Sequence, residues 1–156
     1  MTHRRMNRRL FSFGLAGAVL SLAGCAATGT AFQRAAEVAP DKALIYIYRD
    51  QAMHGAAFTP DVTINETTRF ALQRGGYYPY VATPGKVTIK VTNVGSMTKI
   101  IEAVAGETYY VKAGTIPMGL GIPFVQAAKT GIAIKEIQEC KLLVASASDA
   151  TAAAPK

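Results

Sequence analysis

Apolar and polar positions alternate with a period of two through most of residues 42–144. The clearest stretch is residues 86–92, KVTIKVT, which sets Val87, Ile89 and Val91 on one face and Lys86, Thr88, Lys90 and Thr92 on the other. That is the pattern of a strand with one buried and one wet face. Residues 43–48, ALIYIY, are apolar throughout and rich in β-branched and aromatic types, as in a buried strand. Further strands are predicted at residues 62–65, 69–73, 77–82, 99–104, 107–113 and 124–129. Between them stand Asn65-Glu66, Gly75-Gly76, Pro84-Gly85, Gly95-Ser96 and Ala105-Gly106, residue types that supply the bends strands cannot make. Pro79 has no N–H for a ladder, which places its strand at an edge or a bulge. After Gly131 the spacing changes, and Ile134, Ile137, Cys140 and Val144 fit one face of a short helix. The pattern predicts a mainly all-β fold: an antiparallel, immunoglobulin-like β-sandwich of about seven or eight strands with a short C-terminal helix.

The two ends of the chain lack this pattern. Residues 1–10 carry Arg4, Arg5, Arg8 and Arg9 and no acid, and residues 11–24 are an uncharged run, FSFGLAGAVLSLAG, ending at Cys25. The run is shorter than the roughly 18–20 apolar residues that a spanning helix needs, so residues 1–24 read as an export signal peptide. Residues 26–41 are alanine-rich and aperiodic, and read with Cys25 as a flexible tether (25–41), about 20–25 Å long as a coil. Residues 42–144 form the expected domain, about 100 residues with one modest core. Residues 145–156, ASASDATAAAPK, read as a disordered tail.

Leu22, Ala23, Gly24 and Cys25 resemble the lipobox of bacterial lipoproteins. The resemblance implies cleavage between Gly24 and Cys25, diacylglycerol on the Cys25 thiol and an N-acyl chain on the new amino terminus. One acyl chain anchors only marginally, whereas two or three hold firmly. Ala26 after the cysteine implies, by the sorting pattern of Gram-negative bacteria, the outer membrane facing the periplasm. Arg8-Arg9-Leu10-Phe11 resembles the twin-arginine export motif; an ordinary general-secretory signal is the alternative.

Signal cleavage changes the meaning of the charge. The whole chain has 17 Lys+Arg against 10 Asp+Glu, a formal charge of +7 and a pI of about 9.6, a balance typical of nucleic-acid binders. Removing residues 1–24 takes away four arginines and no acid, leaving 13 basic and 10 acidic residues, or +3. The remaining lysines are scattered, so no nucleic-acid partner is expected.

ALIYIYR, VTINE, Gly75-Gly76-Tyr77-Tyr78, TPGKVTIKV and AGETYYVKAG, followed by a glycine-rich stretch and a closing helix, occur in an order similar to the domain-of-unknown-function 2846 family. Some pieces also resemble PEGA-type sandwiches. The resemblance covers nearly all of residues 42–143 and implies a β-rich envelope domain with no assigned activity.

Residues for catalysis are sparse. After cleavage His54 is the only histidine, and Ser96 is the only serine outside the expected tail. Cys140 reads as a small core hydrophobe, and the dispersed acids, including a solvated helix face at Glu136 and Glu139, show no metal or glycosidase spacing. The expectation is a chain that is not an enzyme and has no cofactor beyond the lipid on Cys25. Candidate partner-binding residues are Ile116, Met118, Leu120 and Phe124 of GTIPMGLGIPF, with Tyr78 and Tyr110. The function expected is a membrane-anchored envelope lipoprotein that binds or scaffolds an envelope protein or cell-wall component. The alternatives are an envelope hydrolase or transferase with a site assembled only by folding, and a carrier of small apolar ligands.

Overall fold

A computed structural model describes residues 26–35, 37–52, 55–116 and 120–143. The lipobox residues Leu22, Ala23, Gly24 and Cys25, together with His54, Met118 and the expected tail, lie outside the described residues. Nine strands and one helix follow in order: β1 (Ala43–Tyr48), β2 (Asp61–Ile64), β3 (Thr68–Ala71), β4 (Gly76–Ala82), β5 (Gly85–Asn93), β6 (Gly95–Ala103), β7 (Thr108–Thr115), β8 (Pro123–Ala127), α1 (Thr130–Ile137) and β9 (Lys141–Leu142). They form a five-stranded sheet, β8-β7-β1-β4-β9, and a four-stranded sheet, β3-β2-β5-β6. The β-sandwich and closing helix read from the sequence are both present.

The connectivity adds what alternation does not contain. β1 is antiparallel to β4 but parallel to β7, and β9 is parallel to β4, so the five-stranded sheet is mixed. β1 also lies at its centre, whereas an immunoglobulin domain keeps its first strand at an edge. A central strand is paired at both edges, and here the four-stranded sheet covers one face of β1 and the α1 layer the other, so all six of its residues are buried. Ala43, Ile45 and Ile47 face the four-stranded sheet and pack with Val62, Ile64, Val87, Ile89 and Val91. Leu44, Tyr46 and Tyr48 face the other way, into a second cluster with Tyr77, Tyr110, Ala133, Ile137 and Cys140. Pro79 lies beyond the two residues of β4 that β9 covers, where that side of the strand is open.

The helix is eight residues long, contains Gly131 and has no side-chain cap at Lys129. An isolated helix of that length is marginal in water, so burial of Ala133 and Ile137 against the sheet holds it in place. It ends before Cys140, which the sequence had placed on its face.

The expected tether requires a correction over its first half. Ala26 bridges to Arg74, and the Ala27 N–H donates to the Arg74 carbonyl at 3.1 Å. Ala27 is buried in the inter-sheet core. Phe32 packs edge-on against Tyr46 and Tyr77, with centroids 5.2 and 5.1 Å apart. The Ala35 N–H donates to the Tyr46 hydroxyl at 2.9 Å. The apolar stripe of Tyr46 and Tyr77 needs cover that a helix of eight residues does not fully supply, and this segment provides it.

Candidate functional site

The polar groups converge where β1 ends. Parallel pairing sets Tyr48 beside Lys112 of β7, and α1 brings Glu136 over the same face. The Lys112 ammonium lies 2.6 Å from Asp50 Oδ2 and 2.7 Å from Glu136 Oε1. The Tyr48 hydroxyl donates to Glu136 Oε2 at 2.7 Å. Burial works against the Lys112 cation, but hydrogen bonds to Asp50 and Glu136 outweigh it, so its pKa lies above the ordinary lysine value. Burial, with the Glu136 hydrogen bond and charge, raises the Tyr48 phenol far above its ordinary pKa.

Arg49 anchors the loop that follows. Its guanidinium donates to the carbonyls of Phe58 and Gly55 at 2.7 Å each and of Leu72 at 3.3 Å. Burial lowers its pKa, with Asp50 opposing and Arg74 adding. The Thr115 hydroxyl also donates to the Gly55 carbonyl, at 3.3 Å. Beside these groups runs a solvent-open groove of about 240 Å³, lined chiefly by Arg49, Asp50, Lys112, Thr115, Phe124 and Gln126. A second groove, of about 330 Å³, adjoins it through Asp50 and Ala52 and reaches Lys135, Glu136 and Glu139. Among the described residues, no three His, Cys, Asp or Glu side chains converge as metal ligands would.

The residues singled out from the sequence fall in different places. Leu120 is exposed, Ile116 is half-buried with its N–H bonded to the Ile122 carbonyl at 2.9 Å, and Phe124 is half-buried in the groove wall. Tyr110 does not reach the surface. It is 3% exposed and stacks on Tyr46 at 5.5 Å, which gives it a packing role in place of the expected partner contact. Tyr78 likewise stacks on Phe70 at 4.3 Å, against the inter-sheet core. Both are drawn inward by neighbouring layers, Tyr110 into the cluster beneath α1 and Tyr78, half-buried, against the core between the sheets. Ser96 is exposed on β6, and Cys140 is buried with its thiol donating to the Arg49 carbonyl at 3.4 Å. The pairing of Asp50, Lys112 and Glu136 was not read from the sequence, which placed Glu136 on a solvated helix face. The one signal for it was a lysine at position 112 inside an otherwise apolar strand.

No curated protein and no solved structure matches the chain. A family does match, over residues 39–122, more than half the chain and from the approach to β1 through the loop after β7. The match includes Tyr48, Arg49, Asp50 and Lys112 and stops short of α1, so Glu136 reaches the cluster from outside the matched region. The chain therefore belongs to the family described as Protein of unknown function (DUF2846).

Proposed function

We propose that the protein is a lipid-anchored lipoprotein of the bacterial envelope, held at the outer membrane on its periplasmic side, whose sandwich binds an envelope partner without catalysing a reaction. The lipobox at residues 22–25 and the leader before it support the anchor. The observation that carries the binding role is the state of the polar groups lining the groove and of Tyr48 buried beside them. Lys112 is neutralised by two carboxylates, Arg49 is held by three carbonyls, and the Tyr48 phenol is kept protonated. Such groups are poised for recognition and fixed geometry rather than for proton or group transfer.

The groove combines a charged floor with an apolar wall at Phe124 and an exposed rim at Gln126. That combination suits a polypeptide loop carrying one apolar side chain among polar ones. The space between the sheets is filled by Ile45, Ile47, Val62, Ile64, Leu72, Ile89 and Val91, each with no exposed surface. This packing does not favour a carrier of apolar ligands. A photo-crosslinking residue at Gln126 in the full chain, followed by mass spectrometry of envelope adducts, tests the reading. A discrete adduct that is lost when Phe124 and Lys112 are both replaced is the expected result. Absence of any adduct at Gln126, with envelope integrity unchanged on deletion, removes the binding role.

A further inference from the structure

The point at which the chain enters the fold bears on how the domain meets the membrane. Cys25 is joined to Ala26 by one peptide bond, about 3.8 Å between Cα atoms, and Ala26 is paired with Arg74 in the loop between β3 and β4. A lipid on Cys25 would therefore be attached one residue before a position docked on the sandwich. The register of the strands shows which end this is. Tyr48 pairs with Tyr77, Asp61 with Thr92 and Ala71, and Thr115 with Pro123. The Arg74 loop, the turn between β5 and β6 and the loop between β7 and β8 are therefore at one end of the molecule. Hydrogen bonds tie this end together: the Gly75 N–H donates to Asp50, Arg49 donates to Phe58 and Leu72, and the Val94 N–H donates to the Gly121 carbonyl at 3.2 Å.

The same end carries exposed apolar side chains away from the anchor. Leu120 and Ile122 flank Gly121 and are 60% and 39% exposed; Val94 and Met97, on the adjoining turn and strand, are 58% and 45% exposed. The Asn93 carboxamide also donates to the Gly121 carbonyl at 2.8 Å. A Cβ at Gly121, where φ is +65°, would lie 2.9 Å from the Phe58 ring, so the glycine holds these loops together. The anchor is at the β4 side and the apolar group at the β7–β8 side. Strand spacing separates them by roughly 15 Å across the end. Large exposed apolar groups on one surface mark an interaction site, and attachment of lipid to the same end specifies a bilayer as its partner.

We propose that this end of the sandwich lies on the bilayer, with Val94, Leu120 and Ile122 seated at the boundary of headgroups and acyl chains while the lipid on Cys25 holds the opposite margin. The inference rests on the lipoprotein reading above. Two contact points limit tilting of the domain about its anchor, and the groove, whose Arg49, Asp50 and Thr115 lie at this same end, opens beside the bilayer.

The test uses the full chain, purified with its lipid and reconstituted into vesicles of phosphatidylethanolamine and phosphatidylglycerol. An environment-sensitive fluorophore is placed at Leu120→Cys, at Val94→Cys and, at the opposite end, at the exposed Val104→Cys. Brominated lipids are expected to quench the first two and to leave the third unaffected, with a blue shift for the first two only. Equal quenching at both ends, or at neither, overturns the proposal. Ile122→Cys serves as a further probe if either labelled variant melts early. Mass spectrometry of the mature chain separates the two readings. Unmodified Cys25 removes the lipoprotein reading and this inference together, whereas acylated Cys25 with water-exposed probes at Leu120 and Val94 removes this inference alone.

Discussion

Cys140 is the residue whose chemistry the fold changes most. Burial pushes its thiol up to about 12, with Asp50, Glu139 and Glu136 adding and Lys112 opposing. The thiolate is the reactive form, so a thiol reagent at pH 8 is expected to leave the native protein unlabelled and to modify it at once in denaturant. Rapid labelling of the native state would contradict the packing of Cys140 against Arg49 and Glu136. The same shift sets a pH dependence. A thiol in the unfolded chain titrates near 8.5, so its folded form holds the proton more tightly. The stability this contributes is complete below about pH 8.5 and is lost as pH rises toward 12. Tyr48 and Lys112 are also raised and act with the same sign from about pH 10 upward. Urea midpoints are therefore expected to be level up to about pH 8 and to fall through pH 9–11. Cys140→Ala is expected to remove the earliest part of that fall.

At the scale of elements, the segment from Ala26 to Ala35 behaves as part of the fold although its composition is that of a linker. Its evidence is specific: Ala27 in the core, Phe32 between two tyrosine rings, and backbone amides bonded to Arg74 and Tyr46. Phe32→Ala in a chain beginning at Ala26 is expected to cost about 1–3 kcal/mol, less than the ~3–5 of a fully buried phenylalanine, and to open this segment to protease. A melting temperature equal to that of the parent would show that the segment rests on the sheet without stabilising it. The strands themselves were legible to within a few residues, because alternation is a local property of the chain. Turn positions were legible for the same reason: Gly75, Gly85, Gly95 and Gly106 all have positive φ. Two-residue β9 was not legible, since two residues carry no period and its pairing is with a strand more than sixty positions away.

For the whole molecule, β1 has the largest consequence. It contributes Ile45 and Ile47 to the inter-sheet core and Tyr46 and Tyr48 to the cluster beneath α1, so neither core can form without it. The two are expected to unfold together, in the all-or-none manner usual for a domain of this size. Ile45→Ala, at a position with no exposed surface, is expected to cost about 2–5 kcal/mol. Its unfolding curves by far-ultraviolet and tyrosine near-ultraviolet dichroism should still superimpose. Separate transitions would mean that the helix layer is an independent unit.

What the sequence determined by itself was local: which stretches are strands, which faces of them require cover, where the turns fall, and that four arginines among the first nine residues supply much of the excess positive charge. It also carried the family resemblance, in motifs contiguous along the chain. Tertiary structure alone decided that β1 is central and parallel to β7, that Lys112 meets both Asp50 and Glu136, that Tyr110 is inside, and that Ala26 is docked at the end bearing Leu120. Each of these depends on which distant segment covers which face, and the free energy of that choice comes from contacts whose partners do not appear in the local pattern.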